Sequence, residues 1–522
     1  MCTIGKFLKV GYLFLGILAI LTLYSCDESG DPAPTPNGNN RSYPLVAQTA
    51  DDISGEVIFA EYSDGSVNFV IELNNTFSGS EYPAYLYFDN AVDGDVVALT
   101  LEQVDGAKGG SQLRASALDD GTPFTFGQLL AFDGHVKILD NNDDVLASGD
   151  VGGNSFTGNA KTYTISEAAN SGVTGTVRLR ERLNQETLIE ISSMDAFQSH
   201  IHVNSVAEGG AIAISLNPGT DGYSATNISS LDPGAGGQDV TYSDLLLFDG
   251  HLNIHDPTDI NLIVAQADIG GNELTGTEIS YDLEERNNST VSGTITFFER
   301  RSGESLAQII LSNTTPGAMH PAHLHIGTAA QEDAGLKAVI LKPVDGNTGI
   351  SETHIDRLDA ALGGTPLSYD DLLVFDGYIN IHTSMADLTL LAQTDIGENA
   401  LTGNSVSYAL DNIPGVTGTA IVHERINGEA LVVLSITGTP VTGDHPAHIH
   451  GGSVAAGPGP VEITLSDVNS FGFSRTSVEQ TDAGSALTYA DLIAYDGYVN
   501  VHESTSSLAV IIAQGDIGSN AN

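Results

Sequence analysis

The sequence predicts an all-β protein built from four tandem copies of one domain, each a β-sandwich or Greek-key barrel with one short helix. Three observations predict it. First, a strand signature recurs as Ile53-Ser54-Gly55-Glu56-Val57, Val173-Thr174-Gly175-Thr176-Val177, Val291-Ser292-Gly293-Thr294-Ile295 and Val416-Thr417-Gly418-Thr419-Ala420, with 120, 118 and 125 residues between equivalent glycines. That period is too long for a solenoid unit and suits independent domains. Second, apolar residues alternate within a copy: Val291, Gly293, Ile295 and Phe297 share one face, a turn follows at Arg301-Ser302-Gly303-Glu304, and Leu306 to Leu311 is a nearly continuous apolar strand. Strand, turn and strand read as a hairpin. Third, 58 glycines, no tryptophan and 41% hydrophobic residues describe short strands and turns around real cores.

From the beginning of the chain, residues 1–25 read as a secretory leader, with Lys6 and Lys9 before an apolar run from Val10 to Leu23. The run ends in Leu23-Tyr24-Ser25-Cys26, which resembles a bacterial lipobox. That resemblance implies cleavage before Cys26, its acylation, and a lipid-anchored place in the cell envelope at the outer membrane or cell surface. The chain has two cysteines, Cys2 and Cys26, so an acylated Cys26 leaves no disulfide and the domains rest on packing. Residues 26–43, rich in Pro, Gly and Asn, read as a disordered tether. The repeats then span 44–166 (divergent), 172–284, 290–411 and 415–522. The strand-like stretch after Leu274-Thr275-Gly276 and after Leu401-Thr402-Gly403, missing from the end of the fourth copy, reads as a connector or as a strand that the fourth copy loses by ending early, the connector being preferred.

Each copy carries a capping-box pattern: Thr125 with Gln128, Thr241 with Asp244, Ser368 with Asp371, and Thr488 with Asp491. The first residue can accept from an orphan amide of a helix start while the acid or amide three residues on reaches back. Tyr242, Tyr369 and Tyr489, just after the cap, are packing residues on this reading. A late strand follows, at Asp133-Gly134-His135, Asp249-Gly250-His251, Asp376-Gly377-Tyr378 and Asp496-Gly497-Tyr498, and each copy closes at Asp150, Asp268, Asp395 or Asp516 in an Asp-Ile-Gly or Asp-Val-Gly motif.

The chemistry concentrates in histidine. The third copy has His320-Pro321-Ala322-His323-Leu324-His325 and the fourth has His445-Pro446-Ala447-His448-Ile449-His450. Residues two apart on a strand share a face, so His323 and His325 lie together, outward, with Ala322 and Leu324 toward the core. His382 and His502 on the late strands join them. The second copy keeps His200, His202 and His255 but has Phe197 in place of the leading histidine. The first has Tyr82, Tyr85 and Tyr87, with Leu139 where its neighbours have the late-strand histidine. Loss of the whole set from two distant segments is what convergence on one place in space predicts. A His-x-His pair with a third His suits Zn or Cu, which imidazole nitrogen binds well. The same residues also read as a hydrogen-bonded cluster beside a partner-binding groove, and both readings stand at this point.

The run from Val291-Ser292-Gly293-Thr294 through the His320–His325 segment to Tyr369-Asp370-Asp371-Leu372-Leu373 and Tyr378-Ile379-Asn380-Ile381-His382 resembles the CHRD domain, the module repeated in chordin and widespread in bacterial secreted proteins. The resemblance is close in copies three and four, good in copy two and an outline in copy one. It implies an extracellular β-rich binding or structural module. A fainter likeness, through the His-x-His strand, is to copper–zinc superoxide dismutase. The chain departs from that enzyme in lacking its disulfide, its bridging histidine with an aspartate ligand, and its active-site arginine.

Charge excludes some partners. Without the leader, 16 basic residues face 67 acidic ones, net −51, which repels nucleic acid and anionic lipid headgroups. No Ser-His-Asp set, phosphate-cradling glycine loop or deeply apolar carboxylate pair recurs across the copies. The expectation is therefore a non-enzymatic extracellular scaffold, held to the membrane by its lipid and binding a protein or polymer, with Zn or Cu binding and dismutase-like redox activity as the alternative.

Overall fold

A computed structural model describes residues 33–331, 335–411, 413–438 and 444–521. The expected leader and Cys26 lie outside them. The described residues are, in their regular structure, almost all β-strand, with a few short helices. They fall into two compact units, one of residues up to 159 with 180–188, the other of 160–179 with 189 onward.

In the second unit the third repeat is a closed antiparallel barrel of eight strands. Their order around the barrel is Leu274–Glu285, Ser292–Arg300, Ser305–Ser312, Ile350–Ile355, Lys337–Asp345, Met319–Ile326, Asp376–Ser384 and Asp387–Gly397. The jump from the third strand in sequence to the sixth gives the barrel its Greek-key connection. The expected alternation holds. Ile295, Phe297, Ile309, Leu324, Ile379 and Ile381 are at most 1% exposed and form the core, each contributing roughly 1.5–3 kcal/mol by leaving water. The signature glycine has a steric cause: a Cβ at Gly293 would lie 1.9 Å from the Ile310 carbonyl oxygen, and one at Gly55 would lie 1.9 Å from that of Glu72. The neighbouring strand passes too close for any side chain.

The fourth repeat keeps the same strand order in two four-stranded sheets, and the second repeat has its own core around Ile165, Leu179, Ile201 and Leu252. All four capping boxes form, with Thr125, Thr241, Ser368 and Thr488 each accepting from the amide three residues on and receiving the reciprocal bond. Tyr242, Tyr369 and Tyr489 are buried, as packing residues should be.

Two expectations need correction. The stretch read as a connector is the opening strand of the following repeat: Leu274–Glu285 pairs with Ser292–Arg300 and with the closing strand of the third barrel, and Leu401–Ala409 pairs with Thr417–Arg425. The repeats therefore run from each opening strand to the next Asp-x-Gly close, and the fourth holds the same eight strands as the third. The hydroxyls of Tyr163 and Tyr281, on opening strands, accept from the amides of Gly270 and Gly397 at the ends of their own barrels, 3.2 Å each. Part of the expected tether is also strand. In the first unit Pro36–Ala47 pairs with Ser54–Tyr62. Its polar residues face solvent, and Asn37 and Asn39 both donate to Glu61 at 2.6 and 2.8 Å. Residues 37–42 are all exposed, so polarity there reflects a strand solvated on both faces rather than disorder.

Candidate metal centre

The histidine strand Met319–Ile326 lies between Lys337–Asp345 and the late strand Asp376–Ser384. Ala322 and Leu324 point into the core, and His323 and His325 take the other face, where His323 is opposite Asn380 and His325 opposite Tyr378. His382, further along the late strand, brings its ring to 5.1 Å from that of His323. Ligand nitrogens of His323, His325 and His382 lie within 4.8 Å of one another. The same convergence occurs for His200, His202 and His255 and for His448, His450 and His502.

The face is not the open one expected from alternation. His325 and His382 are 0% exposed and His323 is 6%. Backbone carbonyls fix the rings. His325 Nδ1 donates to the Gly335 carbonyl at 2.8 Å and His382 Nδ1 to that of Leu388 at 2.8 Å. In the other repeats His202 Nδ1 donates to Gly210 at 2.9 Å and His450 Nδ1 to Gly459 at 3.0 Å. A carbonyl can only accept, so Nδ1 carries a proton, and in the neutral ring that leaves the Nε2 lone pair free, the tautomer a metal-binding imidazole needs. The Nε2 atoms of His202 and His450 and the Nδ1 atoms of His200 and His448 are buried with no hydrogen-bond partner. Burial first, and then the neighbouring imidazoles, hold His200 and His448 below the usual histidine pKa, so both are neutral at neutral pH. Burial lowers His255 and His502 as well.

A flat ring stacks against each covered histidine: Tyr378 on His325 at 4.9 Å, Tyr498 on His450 at 5.1 Å, His251 on His202 at 5.2 Å. Two nitrogens on one tetrahedral zinc sit about 3.3 Å apart, so closing the trios on an ion needs movements on the order of 1 Å.

The leading histidines fall outside the trios. His320 is buried and donates through Nδ1 to the Thr383 carbonyl at 3.0 Å, and His445 does the same to Glu503 at 2.7 Å. A separation of three residues puts them on the opposite strand face from His323 and His448. They tie the histidine strand to the end of the late strand. Phe197, their counterpart in the second repeat, packs into the core against Gly219.

The first repeat fills the corresponding space differently. Tyr85 and Tyr87 stand where the other repeats have the His-x-His pair, Tyr87 stacks on His135 at 5.0 Å, and the Lys137 ammonium lies 4.7 Å over the Tyr87 ring. Lys137 occupies the position of Asn253, Asn380 and Asn500 and donates to the Gly94 carbonyl at 3.1 Å. The repeat without the trio has a lysine ammonium at the asparagine position beside that space.

The sequence reading missed a second recurring set. The closing aspartates Asp150, Asp268 and Asp395 accept through Oδ1 from the amides of Ala91, Val206 and Ala329 at 2.8, 2.7 and 2.6 Å. Their Oδ2 atoms pair with Nη1 of Arg182, Arg300 and Arg425 at 2.7, 2.9 and 2.9 Å, and these arginine side chains are 0% exposed. Each arginine ends the second strand of the following repeat and also donates to a carbonyl of the preceding one, that of Asn154, Asn272 or Asn399. Asp516 keeps the amide bond, from Val454 at 2.7 Å, and no arginine faces it among the described residues.

Fold and site together define a tandem-repeat all-β protein in which three of four repeats gather imidazoles. No family model matches the chain, and no curated protein matches it. Among solved structures, one described as a tetra-tandem repeat in the extending region of a large adhesion protein is aligned over 91% of this chain and 99% of its own, at 11% identity and a TM-score of 0.11.

Proposed function

We propose that the protein is a lipid-anchored, non-enzymatic extracellular scaffold of CHRD-type modules, in which the second, third and fourth repeats each hold a zinc or copper ion. The observation that carries the metal reading is the threefold recurrence of three imidazoles within 4.8 Å, together with their joint replacement in the first repeat by Tyr85, Tyr87 and Leu139. Three neutral nitrogens leave coordination positions open, which suits an ion that also engages a partner's side chain or a polymer's donor groups. Tandem repetition and the resemblance to extracellular modules support the scaffold role, and the leader and Cys26 support the envelope placement.

The test is elemental analysis of residues 27–522 after zinc or copper loading and dialysis. Each of three double variants, His200→Ala/His202→Ala, His323→Ala/His325→Ala and His448→Ala/His450→Ala, is expected to lose one equivalent. Metal content unchanged in all three would refute the metal reading. Labelling with a radioactive fatty acid that is abolished by Cys26→Ser tests the anchor.

A further inference from the structure

The second and third repeats meet at a place with its own ligand set. His354, on the strand Ile350–Ile355, pairs with Leu306, which brings its ring beside Glu304 from the preceding turn. Ligand atoms of Glu304, His354 and Asp356 lie within 4.8 Å of one another. The His354 side chain is only 7% exposed, with Nε2 3.6 Å from a Glu304 oxygen and Nδ1 3.8 Å from an oxygen of Glu208 in the second repeat. Both separations are too long for a hydrogen bond, and Nδ1 is buried with no hydrogen-bond partner.

We propose that this junction is a further divalent-cation site, in which His354 Nε2, Glu304 and Asp356 ligate an ion of the zinc class and Glu208 of the preceding repeat orients the imidazole through Nδ1. A carboxylate behind a metal-bound histidine fixes its tautomer and raises its basicity. The carboxylates are already aimed: Ser302 Oγ donates to Glu304 at 2.8 Å, and the Ser205 amide and hydroxyl donate to Glu208 at 3.1 and 2.7 Å. Arg357 Nε donates to Asp356 at 2.6 Å, and the Lys342 ammonium lies on the Ala207 carbonyl. These bonds leave lone pairs on every carboxylate. One imidazole with two carboxylates is a harder donor set than three imidazoles and favours zinc or manganese over copper. The site occurs at one junction, because Asn227 and Ser477 stand at the position of His354 in the second and fourth repeats. Its ion, held by the third repeat, would engage the second only through His354 and Glu208, at a junction already joined by Arg300 and Asp268.

Zinc stoichiometry tests this independently of the imidazole trios. Residues 27–522, equilibrated with zinc in high salt to screen non-specific attraction to the acidic surface, are expected to hold four equivalents. His354→Asn, which installs the second repeat's own residue, is expected to hold three. A chain with His200→Ala, His325→Ala and His450→Ala, its fold checked by circular dichroism, is expected to hold one, and Glu208→Gln in that background weakens it by roughly tenfold. If His354→Asn leaves the stoichiometry unchanged, the junction site is refuted whatever the trios do. A wild-type value of one that His354→Asn removes would uphold the junction and refute the trios.

Discussion

Removing the Asp268 carboxylate isolates what the arginine latch contributes to the joining of repeats. Asp268→Ala leaves the Arg300 guanidinium at 0% exposure with the Asn272 carbonyl as its hydrogen-bond acceptor, and leaves the Val206 amide without its own. Losing one member of a buried pair costs about 3–5 kcal/mol. Asp268 is 18% exposed, so water can partly solvate the orphaned cation and the lower end, about 3 kcal/mol, applies. The fourth repeat supplies an internal control. Asp516→Ala removes the same amide bond, to Val454, with no arginine involved, and its cost is about 1–2 kcal/mol. Asp395 is 5% exposed, so Asp395→Ala should cost more than Asp268→Ala. Native-state hydrogen exchange of the 300–305 and 425–430 turns reads these differences junction by junction, and the double variant Asp268→Ala/Arg300→Met should recover part of the loss. A cost for Asp268→Ala no larger than that for Asp516→Ala, or a double variant that is simply additive, would refute the reasoning.

Other perturbations have equally definite outcomes. Burial holds His135 below its ordinary pKa. Its neutral form therefore adds stability that is full above the unfolded value, about 6.5, and is lost as pH falls through the folded value. The urea midpoint of the first unit should drop on acidification, and His135→Tyr, which copies Tyr378 and Tyr498, should flatten that dependence. Lys337 Nζ lies 3.4 Å from His323 Nε2, where the other metal-site repeats have Ile212 and Val461. The third trio should thus be the weakest, and Lys337→Val should tighten its zinc by roughly tenfold through loss of like-charge repulsion, as read by competition with a chromophoric chelator. Gly293→Ala forces a Cβ into the Ile310 carbonyl and should cost about 3 kcal/mol. Gly276→Ala meets no atom within 4 Å and should cost only about 1 kcal/mol for its φ of +88°.

Those contrasts mirror what the sequence could and could not convey. The capping boxes were legible because their chemistry is local, a hydroxyl and a carboxylate three residues apart. The trios were legible because strand periodicity puts His323 with His325 and because the first repeat lost the whole set together. Burial of the trios was not legible: the Gly335 carbonyl comes from a loop whose path no periodicity encodes, and the Leu388 carbonyl from the start of the closing strand, whose register the sequence does not state. The parity that excludes His320 and His445 was available, but proximity in sequence outweighed it. The latch also left a signal. Arg182, Arg300 and Arg425 recur at one strand position only in repeats that follow another repeat, and Tyr62 stands there in the first. In a chain with 18 basic residues, a fixed arginine is conspicuous once the repeats are aligned on their true opening strands. The boundaries expected from the sequence concealed this by assigning those strands elsewhere. Asn37-Gly38-Asn39 likewise matches Thr402-Gly403-Asn404, whose Thr402 and Asn404 side chains hold Glu424 as Asn37 and Asn39 hold Glu61, and would have marked the tether's end as strand.

Latch and trio are not separate devices, because one loop serves both. In the second repeat Val206 gives its amide to Asp268, which Arg300 holds, and four residues later Gly210 receives the Nδ1 proton of His202. In the third, Ala329 and Gly335 play the same parts toward Asp395 and His325. Whatever orders this loop from one side lowers the entropy cost of ordering it from the other, and linkage makes the effect reciprocal. If the trios bind metal, Arg300→Met should weaken zinc at the second trio by at least about fivefold, the low end of ordinary coupling, and leave the fourth unchanged. Zinc should in turn slow exchange of the Val206 and Ala329 amides. Equal affinities in Arg300→Met and wild type would mean that the loop is ordered by the barrel alone, and that the junctions and the imidazoles share a neighbourhood without sharing free energy.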